Sequence, residues 1–215
     1  MHTSPGSAHE SVASELAQLG QRLTRLEDQL AIQKLQSQYA HYLFTQRFDR
    51  IVEDCFARHA ADVSVEFSDS GVYRGLASIR ALYAAFMKAR QVPGFFILHM
   101  AVNPYIEIAR DGRSARSHWL SPGAVGSNTS AGWVWGPYYV DYVKEDGEWR
   151  ILHSNLAPLF RNRYDVSWAE AKDHGTVRTM LGVSPDEPST LYRPYNEVKR
   201  EADIFRRHPD LPEAY

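Results

Sequence analysis

The chain has 215 residues, room for one ordinary domain with attachments and short of two full ones. Hydrophobic residues at 44% and charged residues at 23% exclude a disordered or fibrous protein, and a net charge of −2 leaves no basic footprint for nucleic acid or acidic lipid. The single cysteine, Cys55, excludes an internal disulfide and any thiolate-built metal site within one chain.

Residues 1–12, rich in Ser, His and Gly, read as a disordered tail without the basic and apolar regions of a signal peptide. No apolar run approaches the ~20 residues that span a bilayer, so a cytoplasmic protein without a membrane partner is expected. Residues 13–30 form a helical arm in which Leu16, Leu19, Leu23, Leu26 and Leu30 alternate at spacings of three and four, about two heptads of a coiled-coil seam. The arm is expected to lie on its own domain or on a partner subunit. A second helical stretch, 31–44, carries Ile32, Leu35, Tyr39 and Tyr42 as a stripe, and a short helix follows near 48–56.

The period then changes. Val63, Val65 and Phe67 alternate with polar residues as a half-buried strand, a short strand follows at 72–75, and 77–90 is helical. Strands are expected at 95–102, 105–109, 114–120, 133–144 and 149–156, with a Gly/Ser-rich loop at 121–132. Asp-Gly turns at 111–112 and 146–147 mark two hairpins. Segregated helices and strands of this kind indicate an α+β domain, taken as 31–165. Residues 166–215, punctuated by five prolines, read as an extension packed on the surface or on a neighbouring subunit, with one helix over 167–179.

The stretches at 35–57 and 71–83, the H-x-x-x-N-P run at His99–Pro104 and YYVDYVKEDGEWRI at 138–151 resemble the SnoaL-like proteins of the nuclear transport factor 2-like superfamily. That family includes relatives of scytalone dehydratase, ketosteroid isomerase and polyketide cyclases. The resemblance implies a cone-shaped, strongly curved antiparallel sheet wrapped around helices, with a pocket in its open end and assembly as a homodimer or homotrimer. The W-x-W-G-x-Y run and the Pro/Tyr-rich tail look most like a branch containing cofactor-independent lyases of lignin-derived diaryl compounds. One departure stands out: where many relatives keep an Asp, five residues before an aromatic-Asp pair, this chain has Phe44.

The resemblance places His99 in the pocket, and an imidazole with an ordinary pKa near 6.5 can move a proton at neutral pH. His153 follows Trp149 and Ile151 at period two and Asn155 continues that side, so both are expected to face inward. Tyr42, on the helical stripe, and Tyr138, at a pocket position of the relatives, are the candidate phenols for donating to a substrate oxygen. Substrate contacts are expected from Phe44, Phe67, Trp133, Trp135 and one of the alternating pair His118 and Trp119. Tyr39 reads as core. The histidines His99, His118 and His153 are the only potential metal set, without a convergent carboxylate, and no cofactor is expected. These readings add up to acid–base elimination on an aromatic small molecule, by dehydration or carbon–carbon cleavage such as deformylation. Isomerisation or cyclisation of a polycyclic substrate uses the same parts, and the alternative is a non-catalytic ligand-binding or assembly module on the same fold.

Overall fold

The computed structural model describes residues 5–128, 130–167, 177–191 and 208–215. Helix α1 is continuous over Pro5–Phe44. Residues 5–12, expected as tail, belong to it, since a proline at the first position is pre-set for a helix and donates nothing the first turn needs. Helices α2 (Phe48–Cys55) and α3 (Gly75–Ala89) flank the first hairpin, β1 (Ser64–Phe67) and β2 (Gly71–Arg74). The remaining strands are β3 (Phe96–His99), β4 (Val102–Ile108), β5 (Ser114–Ser127), β6 (Ser130–Glu145), β7 (Glu148–Leu156) and β8 (Phe160–Arg163). A short helix, α4 (Val177–Leu181), follows. Most of the helix expected over 167–179 lies outside the described residues. No helix among those described is long and apolar enough to cross a membrane.

The strands form one sheet in the order β2-β1-β7-β6-β5-β3, with β4 on the edge of β5 and β8 on that of β6. Every pair is antiparallel except β1 with β7, which are far apart in sequence and so are not bound to hairpin geometry. The expected loop at 121–132 is instead the far half of the β5–β6 ribbon, paired to Ser127↔Ser130. Its small residues suit tight backbone packing rather than a loop.

One face of the sheet carries the core. Ala115, Ser117, Trp119 and Ser121 on β5 stand opposite Tyr142, Val140, Tyr138 and Gly136 on β6, and the side chains of this row are buried against Ile32, Leu35 and Tyr39 of α1 and Ile79, Leu82, Tyr83 and Phe86 of α3. Asp28 of α1 accepts hydrogen bonds from Lys144 Nζ at 2.6 Å and Trp149 Nε1 at 2.8 Å, fixing the helix to the β6–β7 hairpin.

The β7 strand breaks its alternation. Asp141 pairs with His153 but Tyr142 pairs with Ile151, so Leu152 is an extra residue in a β-bulge. Trp149 and Ile151 point inward before it, Ser154 and Leu156 after it. His153 and Asn155 are therefore on the outer face, and the period-two expectation for both is corrected.

The described stretch 183–191 of the extension packs on the chain's own domain. Val183 accepts a hydrogen bond from the Tyr73 hydroxyl, Arg74 pairs with Glu187, and the buried Glu66 carboxylate accepts from the hydroxyls of Ser189 and Thr190 and the amides of Thr190 and Leu191.

Candidate active site

Sheet register assembles the site. His99 pairs with Gly123, Gly123 with Val134 and Val134 with Arg161, a single row across β3, β5, β6 and β8. Two long polar side chains therefore flank a low saddle. Gly123 is required there, because a Cβ at that position falls 2.6 Å from His99 Nδ1. Beyond the intervening Ser121–Gly136 pair, a second row brings Trp119, Tyr138, Leu156 and Phe67 onto the same face.

Above this saddle lies an enclosed cavity of about 30 Å³, lined by His99, Tyr138, Tyr39, Arg161, Phe67 and Phe86, with Leu43, Ile97, Val125 and Leu156. Val177 and Met180 of α4 cover it. The cavity has room for a water molecule and none for an aromatic ring, so the preformed hollow expected from sequence is largely filled. Beside it, a more open cleft of about 180 Å³ shares Val125, Arg161 and Met180 with the inner space.

Burial, with the Arg161 charge adding to it, brings the His99 pKa down to about 3, so the imidazole is neutral at physiological pH. Its Nδ1 lies 3.3 Å from Ser121 Oγ, and Nε2 has no hydrogen-bond partner among the described residues. The Tyr138 ring meets His99 edge-on at 6.5 Å and Tyr39 at 6.2 Å, and Tyr39 shares a 3.0 Å hydrogen bond with Tyr83. Burial raises all three phenols well above the usual tyrosine range, which keeps them protonated donors. Arg161 donates through Nε and Nη2 to Asp69 Oδ2 at 2.9 and 2.8 Å in a pair that is almost wholly buried. Among the described residues its Nη1 has one partner, the Met180 thioether 4.0 Å away, so a cationic donor is turned to the cavity.

His99, Tyr138 and Phe67 thus meet in one cavity. The other expected site residues do not. Tyr42 sits one helical step from the cavity face and donates to Asp54 Oδ2 at 2.7 Å between α1 and α2. Phe44 is half exposed at the end of α1. Trp119 is the inward member of its pair, but its indole donates to Ser117 and Tyr142 in a buried network reaching Gln36 rather than lining the cavity. His118 faces outward against Tyr139. Trp133 and Trp135 flank the fully buried Val134 and so occupy the outer face, where Trp135 stacks on Phe160. His153, outside the bulge, holds Asp141 Oδ2 at 3.0 Å and the Asp62 carbonyl at 3.0 Å. Asn155 accepts from Ser68 Oγ at 2.9 Å. Among the described residues no cluster of three or more His, Cys, Asp or Glu side chains is placed to hold a metal ion.

Sequence reasoning passed over Arg161 and Asp69 and read Tyr39 as core. Asp69 lies in the SDSG turn and Arg161 in a polar four-residue strand, neither with a periodic signal. A buried arginine facing a buried aspartate is a product of topology alone.

The family described as "SnoaL-like domain" matches this chain over residues 24–155. A putative scytalone dehydratase from Novosphingobium aromaticivorans superposes with a TM-score of 0.56 at 18% identity, covering 71% of this chain and 97% of that one. Hexachlorocyclohexane dehydrochlorinase LinA-type3 from Novosphingobium barchaimii gives 0.56 at 14% identity, covering 72% and 99%. Rv3472, a protein of unknown function from Mycobacterium tuberculosis, gives 0.54 at 24% identity, covering 74% and 86%. No curated protein matches the sequence.

Proposed function

Since the chain belongs to the SnoaL-like domain family, with a nuclear transport factor 2-like fold, we propose that it is a cofactor-independent lyase. Its substrate is a small aromatic molecule, and the reaction is acid–base elimination in the space between His99, Tyr138 and Arg161. The observation that carries this reading is the convergence of a neutral imidazole, a protonated phenol and a spare guanidinium donor on one cavity. The solved neighbours named for dehydration and dehydrochlorination are eliminating enzymes on the same scaffold, which agrees with the proposal.

In the proposed step, His99 takes a proton from the carbon beside the departing group. The bonding pair left behind forms the new double bond as the carbon–oxygen bond to the departing group breaks; the oxygen keeps that bond's electrons, takes the proton back from the His99 imidazolium and leaves as water or an alcohol. Tyr138 donates a hydrogen bond to the substrate oxygen on which negative charge grows, and Arg161 offsets that charge. An imidazole with a pKa near 3 is a weak base alone; a developing anion beside it favours its protonated form, so proton transfer is coupled to charge formation. Substrates with a labile benzylic proton and an oxygen leaving group, dimeric phenolics among them, suit this arrangement. Admitting a ring requires the room now taken by Val177 and Met180.

The test is turnover of benzylic alcohols and diaryl compounds, followed by absorbance. His99→Ala and Tyr138→Phe are each expected to lose about 10²–10⁴ in kcat/KM. Because His99 is neutral above its depressed pKa, the wild-type kcat/KM should stay level as the pH falls through the ordinary histidine range near 6.5. Unchanged turnover in both variants, or an acid limb centred near 6.5, overturns the assignment. The 30 Å³ cavity favours a second reading, a non-catalytic ligand-binding or assembly module, which predicts no turnover in any variant.

A further inference from the structure

The N-terminal half of α1 carries an apolar stripe that no described residue covers. Val12, Leu16, Leu19, Leu23, Leu26 and Leu30 are each 55–64% exposed, although their spacing of four and three is that of a heptad seam. At about 100° per residue they share one side of the helix, while Asp28, Ile32, Leu35 and Tyr39, which dock on the chain's own domain, lie on the opposite side. The domain therefore cannot cover the stripe, and the helix must turn it toward something else. Gln33, at the next seam position, ends it.

We infer that the stripe binds the same stripe of a second copy of this chain, as a short parallel coiled coil. Two observations select that occupant and that direction. With the leucines as the two seam positions, Arg22 and Glu27 flank the seam five residues apart, the spacing at which a parallel pair brings one chain's residue against the other's. Neither has an ion-pair partner among the described residues, so two crossed Arg22–Glu27 pairs are free to form. In the antiparallel arrangement that buries the full stripe, Arg22 would instead face its own copy. The opposed faces of α1 also leave room, because parallel pairing points the two domains away from each other.

Sedimentation equilibrium of the full chain tests this, with a mass twice the 24.5 kDa of one chain expected. The double variant Leu19→Asp, Leu23→Asp, on exposed positions that leave the domain core untouched, is expected to sediment as one chain with an unchanged thermal midpoint. Arg22→Glu alone should weaken the dimer at least tenfold, and Arg22→Glu with Glu27→Arg should restore it. Direction is read by cysteine crosslinking, to which the native Cys55 does not contribute, being buried with its thiol pushed up to about 12. Leu30→Cys alone is expected to form a disulfide-linked dimer on oxidation. A wild-type mass other than two chains, an unchanged mass in the leucine variant, or crosslinking only when Leu30→Cys is mixed with Val12→Cys overturns the inference.

Discussion

Asp69 and Arg161 have almost no exposed side-chain surface, and each is the other's main compensation for lost water. Removing only the carboxylate, as in Asp69→Ala, strands a guanidinium in a dry wall. A loss of about 3–5 kcal/mol in urea unfolding is expected, more than an exposed ion pair would cost. His153 answers to pH. Its hydrogen bond to Asp141, then the charges of Asp141 and Asp62, outweigh burial and raise its pKa. A raised folded pKa means the contribution is complete below about 6.5, the ordinary histidine value, and is lost as pH rises through the folded one. Thermal midpoints measured across that range should therefore fall toward alkaline pH, and His153→Gln should flatten this part of the curve.

The bulge at Leu152 decides what β7 offers to each face. Deleting Leu152 removes the extra residue and restores strict alternation with every face kept: Trp149, Ile151, Ser154 and Leu156 stay inward, His153 and Asn155 outward. Cooperative unfolding and the near-ultraviolet circular dichroism signal are expected to survive the deletion, because the Leu156 wall of the cavity and the His153 clamp keep their faces; loss of either would mean that the bulge itself is needed. The same element shows where sequence stops being informative. Trp149 and Ile151 announce an inward face correctly, but a bulge depends on the partner strand and leaves no mark in period-two counting. The resemblance placed His99 and Tyr138, and the structure brings both to the cavity. Periodicity gave Phe67 and the order of the elements. The tryptophans of W-x-W misled because Val134, a lesser hydrophobe, takes the inner face between them. Arg161 was illegible since its neighbour in the row is set by β8 folding back onto β6.

At the scale of the molecule, Met180 stands between the inner cavity and the outer cleft, touching both. Met180→Ala should merge them into one space. Calorimetric titration with benzyl alcohol or a simple phenol is expected to show clearly tighter binding than to wild type; equal affinity would mean that this side chain is no barrier. Both groups that roof the cavity, Val177 and Met180, come from the extension, beyond the 24–155 stretch matched by the family.

The roof and the His99–Tyr138 pair therefore belong to separate parts of one polypeptide. Grafting a different tail onto an unaltered barrel would change the roof of the cavity while leaving the imidazole and the phenol beneath it as they are. The space beside His99 and Tyr138 can thus be reshaped without touching either residue.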